Sequence, residues 1–397
     1  MATRTCNSTT HPVSKLEGES VGAIRLMGTS CQINVPPGKM VVKIPDMFNS
    51  CMFVAPRVNP FYEEVKLEAE EWISKKLGSA KMKKVISKTD FAWFCAVAVP
   101  DAGKEELRTM CDWGNWVFPF DDIFDNGKLK DNPQEAREVM DDLLLVMRGG
   151  VRASEPSAFI EIHDSVWDRI VKISSTAVQN RFLTAMTEYC NGALEHVGHH
   201  SEAKLPILSE YLQARRRAVG VTPVIALMEY ALRLEMLDSV CETEAFEKLK
   251  IVVIDIILIQ NDIISYKKEE AEGVPHNLIT VLRNGGMNTQ EAFNRAGEML
   301  EERSRDWELI KTEFPRDVDA RNYIEGTRNI MLASLHWHFR SERYFGEMKD
   351  DVREHGMIVV NQDPRMMETG VVSVSSPGVE SWIIYFWKRI RGVLDYF

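Results

Sequence analysis

A chain of 397 residues, 45% of them hydrophobic, can bury a large core, either as two average domains or as one large helical one. Its 48 basic against 59 acidic residues, a net charge of −11, argue against a nucleic-acid backbone binder, which needs a basic face to release phosphate counterions. Seven scattered cysteines without a CxxC pair argue against a disulfide frame or zinc ribbon and fit a reduced, cytoplasmic setting.

In chain order, residues 1–43 are expected to be a flexible tail: Met1 to Pro36 is rich in Ser, Thr and Gly and lacks the apolar stretch of a signal peptide. Order is expected from Ile44-Pro45, and Asn59-Pro60 opens a helix carrying Tyr62, Val65, Trp72 and Ile73. Helical windows follow at 81–99, 103–125, 133–148, 157–172, 176–200, 205–217, 221–238, 243–270, 289–313 and 317–346. The turn formers between them, such as Gly149-Gly150 and Gly285-Gly286, are too short to link domains, so 44–346 reads as a single all-α domain. No window reaches the ~18–20 apolar residues of a membrane span; the nearest run, Ile251 to Ile259, contains Asp255. Residues 347–397 form a C-terminal extension. There Trp382, Phe386, Ile390 and Val393 make a helical stripe that either packs on the domain or, with Lys388, Arg389 and Arg391, meets a membrane surface.

Two acidic motifs carry the chemistry. The first is Asp121-Asp122-Ile123-Phe124-Asp125, where i,i+3 and i,i+4 spacing puts three carboxylates on one side of a helix. Hard oxygen donors of this kind suit Mg²⁺ bridged to phosphate oxygens. Taken alone the motif equally describes a solvated helix end, but Trp113, Trp116, Val117, Phe118 and Phe120 make the preceding turns heavily apolar. Pro119 should bend this helix, so the shared face requires that the helix resume after it. The second motif places Asn261, Ser265 and Glu269 at i, i+4 and i+8, one stripe if residues 244–270 are helical. The β-branched run Ile251 to Ile259 leaves helix and strand open by periodicity; a length without internal Gly or Pro favours the helix. Asp255 and Gln260 inside it then need partners.

With both motifs on the page, the chain resembles the class I terpene cyclases, most closely the fungal-type sesquiterpene synthases. The likeness runs from Asn59-Pro60-Phe61-Tyr62-Glu63-Glu64 through Leu107-Arg108-Thr109 to Trp337-His338-Phe339-Arg340-Ser341-Glu342-Arg343-Tyr344 and covers most of 45–346. It implies a class I terpenoid synthase helical bundle with a central active-site cavity. It further implies Mg²⁺-dependent ionisation of an isoprenoid diphosphate, farnesyl diphosphate for a sesquiterpene product, and a group of three Mg²⁺ ions. By the same resemblance Asp121, Asp122 and Asp125 hold one part of the metal group and Asn261, Ser265 and Glu269 another. Lys268, Arg343 and Tyr344 then contact diphosphate, Arg215 senses it, and Gly220 offers a nearby backbone carbonyl. The chain departs from its relatives at Arg217 and Ala218, where they often carry Asp and Thr.

A cyclisation site also needs aromatic faces that stabilise a carbocation and exclude water. Phe91 and Phe94 share a helix face, Phe118 precedes the first motif, and Trp337 lies two turns before Tyr344, so all four are expected on one cavity. His196, His199 and His200 have spacings compatible with zinc but lack the Glu of an HExxH motif, and read as solvated. Competing functions are a monoterpene or diterpene cyclase, a chain-elongating prenyltransferase and, from a different class, a non-catalytic helical scaffold.

Overall fold

The computed structural model describes residues 23–25, 32–49, 52–78, 80–125, 127–199 and 205–362. Up to Asn361 the described residues belong to one compact unit. The aromatic stripe Trp382, Phe386, Ile390 and Val393, with Lys388, Arg389 and Arg391, lies outside the described residues, as does most of the 1–43 tail.

Helices dominate the chain. In order they are α1 Tyr62–Leu77, α2 Ala80–Thr89, α3 Phe91–Ala98, α4 Lys104–Asp125, α5 Pro133–Leu145, α6 Ala158–Ile173, α7 Thr176–His199 and α8 Leu208–Ala218. Then come α9 Val221–Ala231, α10 Asp238–Cys241, α11 Glu244–Glu272, α12 Leu278–Asn284, α13 Thr289–Ile310, α14 Val318–Arg340, α15 Glu342–Phe345 and α16 Lys349–His355. Local chemistry starts and stops them. Asn132 accepts from the Glu135 amide with Pro133 in the first turn, Thr243 accepts from Phe246, and Asn288 and Glu291 close a reciprocal capping box. Gly273 ends α11 at φ +72°, a left-handed turn that costs glycine nothing.

The β-branched run of α11 is helical, and nearly every residue from Val252 to Tyr266 is buried, because α13 packs on one side of it and α14 on another. α14 also packs on α3, α4 on α1 and α6, and α7 on α8 and α9. This nesting turns the ends of α4, α8, α11 and α14 toward a common space.

Three expected windows end differently. The 81–99 window is two helices, because Asp90 adopts φ +49° and forms ion pairs with Lys66 and Arg340. The 221–238 window stops at Ala231, and Arg233 takes φ +52° where its guanidinium bonds Glu106. The 317–346 window breaks at Ser341, whose hydroxyl accepts from the Arg343 amide and restarts the chain as α15. Beyond the expected helices, the described residues include two antiparallel strand pairs, Ala23–Arg25 with Gln32–Asn34 and Lys39–Lys43 with Met357–Asn361. The second pair sets Val41 opposite Val359 and brings residues on either side of 44–346 together. It is tied to the helices where the Asn361 amide donates to Glu270 Oε2 at 2.7 Å and the Lys43 amide to Gln290 Oε1 at 2.8 Å. Among the described residues no helix is long and apolar enough to cross a membrane.

Candidate active site

A cavity of about 200 Å³ opens at the ends of these helices. Asp121, Asp122, Asn261, Glu269, Arg215, Lys268, Gly220, Arg343 and Tyr344 line it, together with Phe91, Phe94, Phe118 and Trp337. Ser265 is buried one turn below Asn261 on the same helix.

The first motif reaches the cavity because α4 runs unbroken through Pro119 to Asp125. Asp121 is half-buried and accepts a hydrogen bond from the Tyr189 hydroxyl of α7. Asp122 is exposed, with Oδ1 4.0 Å from Nη2 of Arg343. Asp125 is the last residue of α4; its side chain is not among those described, nor are those of His196, His199 and His200.

On α11 each member of the second motif has a fixed neighbour. Asn261 Oδ1 accepts from Arg215 Nη2 at 2.9 Å, while its Nδ2 donates to the Tyr344 hydroxyl at 3.3 Å and meets His338 Nε2 at 3.1 Å. Asn277, which caps α12, donates Nδ2 to Glu269 Oε2 at 2.9 Å and lies 3.5 Å from Ser265 Oγ. Burial, reinforced by the nearby Asp262 charge, pushes the Glu269 carboxyl above the usual carboxylate range. Burial also keeps the His338 imidazole neutral, its pKa depressed to about 4.

The three arginines of α8 divide their work. Arg215 reaches Asn261 and the buried Asp262, which also accepts from the Tyr211 hydroxyl and from the Leu278 amide at 3.0 Å. Arg216 forms a two-bond pair with buried Asp255, at 2.7 and 2.8 Å, and Arg217 pairs with Glu195. Asp255 thus has its partner, whereas both amide atoms of the fully buried Gln260 have none. Gly220 follows at φ +73° and caps α9. Lys268 Nζ bonds Glu272 Oε2 at 2.7 Å at the cavity edge.

The polar groups adjoin an aromatic wall. Phe91 stacks on Phe94 with centroids 4.4 Å apart and meets Phe118 edge-on at 5.1 Å, and Phe118 stacks on Trp337 at 5.5 Å. Trp337 is held by its indole N–H, which donates to the Thr89 carbonyl at 2.7 Å. The Arg343 guanidinium lies 4.8 Å over the Phe118 ring, where wall and polar groups meet.

Sequence reasoning missed Tyr189, Tyr211, Asp262, Asn277 and His338. Asp262 sits between two motif residues but points off their helical stripe, and the other four come from separate elements. Helical periodicity contains no signal for such cross-element partners.

Among the described residues no three His, Cys, Asp or Glu side chains are gathered as a metal centre. The oxygen donors lining the cavity are a mixed set instead, which includes the carboxylates of Asp121, Asp122, Glu269 and Glu272 and the amide oxygen of Asn261.

The family "Terpene synthase family 2, C-terminal metal binding" matches residues 112–306. The chain is 36% identical to the silphinene synthase of Penicillium patulum, over 79% of this chain and 88% of that protein. It is 35% identical to a (+)-eremophilene synthase of Gibberella fujikuroi, over 77% and 88% respectively. Among solved structures, the linalool/nerolidol synthase of Streptomyces clavuligerus shares the fold with a TM-score of 0.65 at 20% identity, over 73% of this chain and 98% of that one. A helical bundle whose aspartate-bearing and Asn/Ser/Glu-bearing helices meet at one aromatic-walled cavity, and relatives matched over most of their length, place the chain in the fungal-type class I terpene cyclase family, lyases that act on a diphosphate.

Proposed function

We propose that the protein is a Mg²⁺-dependent sesquiterpene synthase that ionises farnesyl diphosphate, cyclises the C15 cation and releases diphosphate. One observation carries this reading: a single cavity is lined both by hard oxygen donors and guanidinium groups and by four packed aromatic rings. The names of the two fungal relatives, a silphinene and an eremophilene synthase, support the C15 substrate.

The donor set fits the metal. Carboxylate, amide and hydroxyl oxygens are the ligands Mg²⁺ takes, and among the described residues too few converge for an all-protein cage, which leaves positions for phosphate oxygens. Burial and the nearby Asp262 charge raise the affinity of the Glu269 carboxyl for a proton, and a cation bound at that carboxylate would offset both. Asp121, Asp122 and Asp125 would hold Mg²⁺ from α4, and Asn261, Ser265 and Glu269 from α11. When bound, the metal supplies Lewis-acid neutralisation of the diphosphate charge.

The protein's own groups do the rest. Arg343, Arg215 and Lys268 offer cationic donors, and Tyr344 a hydroxyl, to the diphosphate oxygens that gain charge as the C–O bond breaks and its electron pair leaves with diphosphate. Phe91, Phe94, Phe118 and Trp337 turn ring faces and edges to the space where the positive charge then migrates, and offer it no nucleophile. Gly220 brings backbone to the cavity with no side chain in the way. On this reading residues 44–346 carry the chemistry and the strand pair across their ends braces them.

The test is incubation of purified protein with farnesyl diphosphate, with and without Mg²⁺, and gas chromatography with mass detection of the pentane extract. Cyclic C15 products that need Mg²⁺ and vanish in Asp121→Ala and Asn261→Ala are expected. Absence of any volatile from farnesyl, geranyl or geranylgeranyl diphosphate would overturn the reading in favour of a non-catalytic scaffold.

A further inference from the structure

His338 touches neither motif in sequence, yet it is the buried neighbour of Asn261 on the cavity wall. Its Nδ1 lies 2.5 Å from the Ser334 carbonyl oxygen and 3.4 Å from Ser334 Oγ. A backbone carbonyl only accepts, so Nδ1 carries the ring proton and Nε2 presents a lone pair. Across 3.1 Å that lone pair faces the side-chain amide of Asn261, and only the NH₂ end of the amide can meet it. The amide oxygen is thereby turned the other way, toward Arg215 Nη2 at 2.9 Å.

An asparagine amide reversed about its last bond would aim a donor where a cation needs an acceptor. Two other groups also favour the observed orientation: Arg215, which donates to Oδ1, and Tyr344, whose hydroxyl takes the second N–H at 3.3 Å. Both are taken up by diphosphate in the proposed reaction. His338 is not, because its ring is buried, its Nδ1 is held by the Ser334 carbonyl, and it lies edge-on to Trp337 at 5.1 Å and tilted on Tyr344 at 4.9 Å.

We propose that His338 is a positioning residue for the metal site: its Nε2 acceptor locks the Asn261 amide with Oδ1 directed at the cation. This inference rests on the proposed role of Asn261 as a metal ligand. It concerns the hydrogen-bond acceptor and assigns the imidazole no proton transfer.

The test measures stabilisation of the full-length protein by Mg²⁺ with inorganic pyrophosphate in a thermal-shift titration, alongside the Mg²⁺ requirement of turnover. His338→Phe keeps an aromatic ring and removes the acceptor; it is expected to raise the half-saturating Mg²⁺ concentration 10- to 100-fold, the usual cost of losing a partner behind a metal ligand. His338→Gln, which keeps an acceptor, is expected to recover most of that loss. The decisive background is Asn261→Asp, where a carboxylate presents oxygen whichever way it turns. There His338→Phe is expected to change the Mg²⁺ midpoint less than about threefold, a discrimination that lost packing could not produce.

An equal penalty in the Asn261 and Asn261→Asp backgrounds, or an unchanged midpoint in His338→Phe, overturns the inference. If His338→Phe loses the helical circular-dichroism spectrum, His338→Met, flexible and equally without a strong acceptor, takes its place under the same criteria. Asn261→Ala separates the two levels: if it leaves the Mg²⁺ and pyrophosphate response intact, the ligand role of Asn261 fails; if it abolishes the response while His338→Phe does not alter it, only the inference about His338 fails.

Discussion

Asn277 offers the sharpest test of how the second motif is held. Its side chain is fully buried and makes three bonds at once: Oδ1 accepts from the Ile279 amide at 2.8 Å, and Nδ2 donates to the Asp262 carbonyl at 2.8 Å and to Glu269 Oε2 at 2.9 Å. Losing the helix cap costs about 1 kcal/mol. The bond to a carboxylate is worth about 2 kcal/mol and the one to a carbonyl about 1 kcal/mol. Asn277→Ala is therefore expected to lose about 4 kcal/mol, roughly 5–6 °C of melting temperature for a protein of this length. Asn277→Ser keeps the cap oxygen and should recover about 1 kcal/mol of that. Asn277→Asp also keeps the cap but turns an acceptor toward the Glu269 carboxylate and the Asp262 carbonyl, so it should be at least as unstable as the alanine variant. Thermal unfolding followed by circular dichroism at neutral pH in metal-free buffer measures all three. A loss below about 1 kcal/mol for Asn277→Ala, or wild-type stability for Asn277→Asp, would refute the claim that this amide holds Glu269 in place.

Arg216→Ala strands the Asp255 carboxylate in the core and is expected to cost about 3 kcal/mol, while Arg216→Met combined with Asp255→Leu should recover most of it; urea midpoints decide. Gly220→Ala meets nothing closer than Tyr189 at 3.9 Å, so its expected loss of about 1–2 kcal/mol comes from the φ of +73° alone, and calorimetry should show no larger effect. His163 is buried, stacks on Phe182, has neither ring nitrogen bonded, and burial depresses its pKa to about 3. Because the folded pKa lies below the unfolded one, its contribution is present above about pH 6.5 and is lost as pH falls toward 3. His163→Phe should therefore gain on wild type by up to about 1.4 kcal/mol per pH unit between pH 6 and 4, and parallel stability–pH curves would contradict this.

The helical class, the two motifs and most helix boundaries were legible in the residues, because caps, glycine stops and i,i+4 spacing act over one or two turns. The unbroken length of residues 244–270 was enough to choose helix over strand for the β-branched run, and α11 follows it. Proline at 119 looked like a threat to the shared face of the aspartates, yet α4 continues through it, packed on α1 and α6. The strand pair Lys39–Lys43 with Met357–Asn361 was hidden because each strand is five residues long and the partners lie at opposite ends of the chain.

By itself, then, the sequence determined which residue types stand on which helix and the chemistry they can support, since periodicity and hydrogen-bonding capacity are local properties. Only the tertiary structure decided that Arg215 faces Asn261 while Arg216 answers Asp255, that Tyr189 meets Asp121, and that His338 and Asn277 contact the second motif. Those pairings join atoms from different helices, and their geometry exists only once the helices have packed.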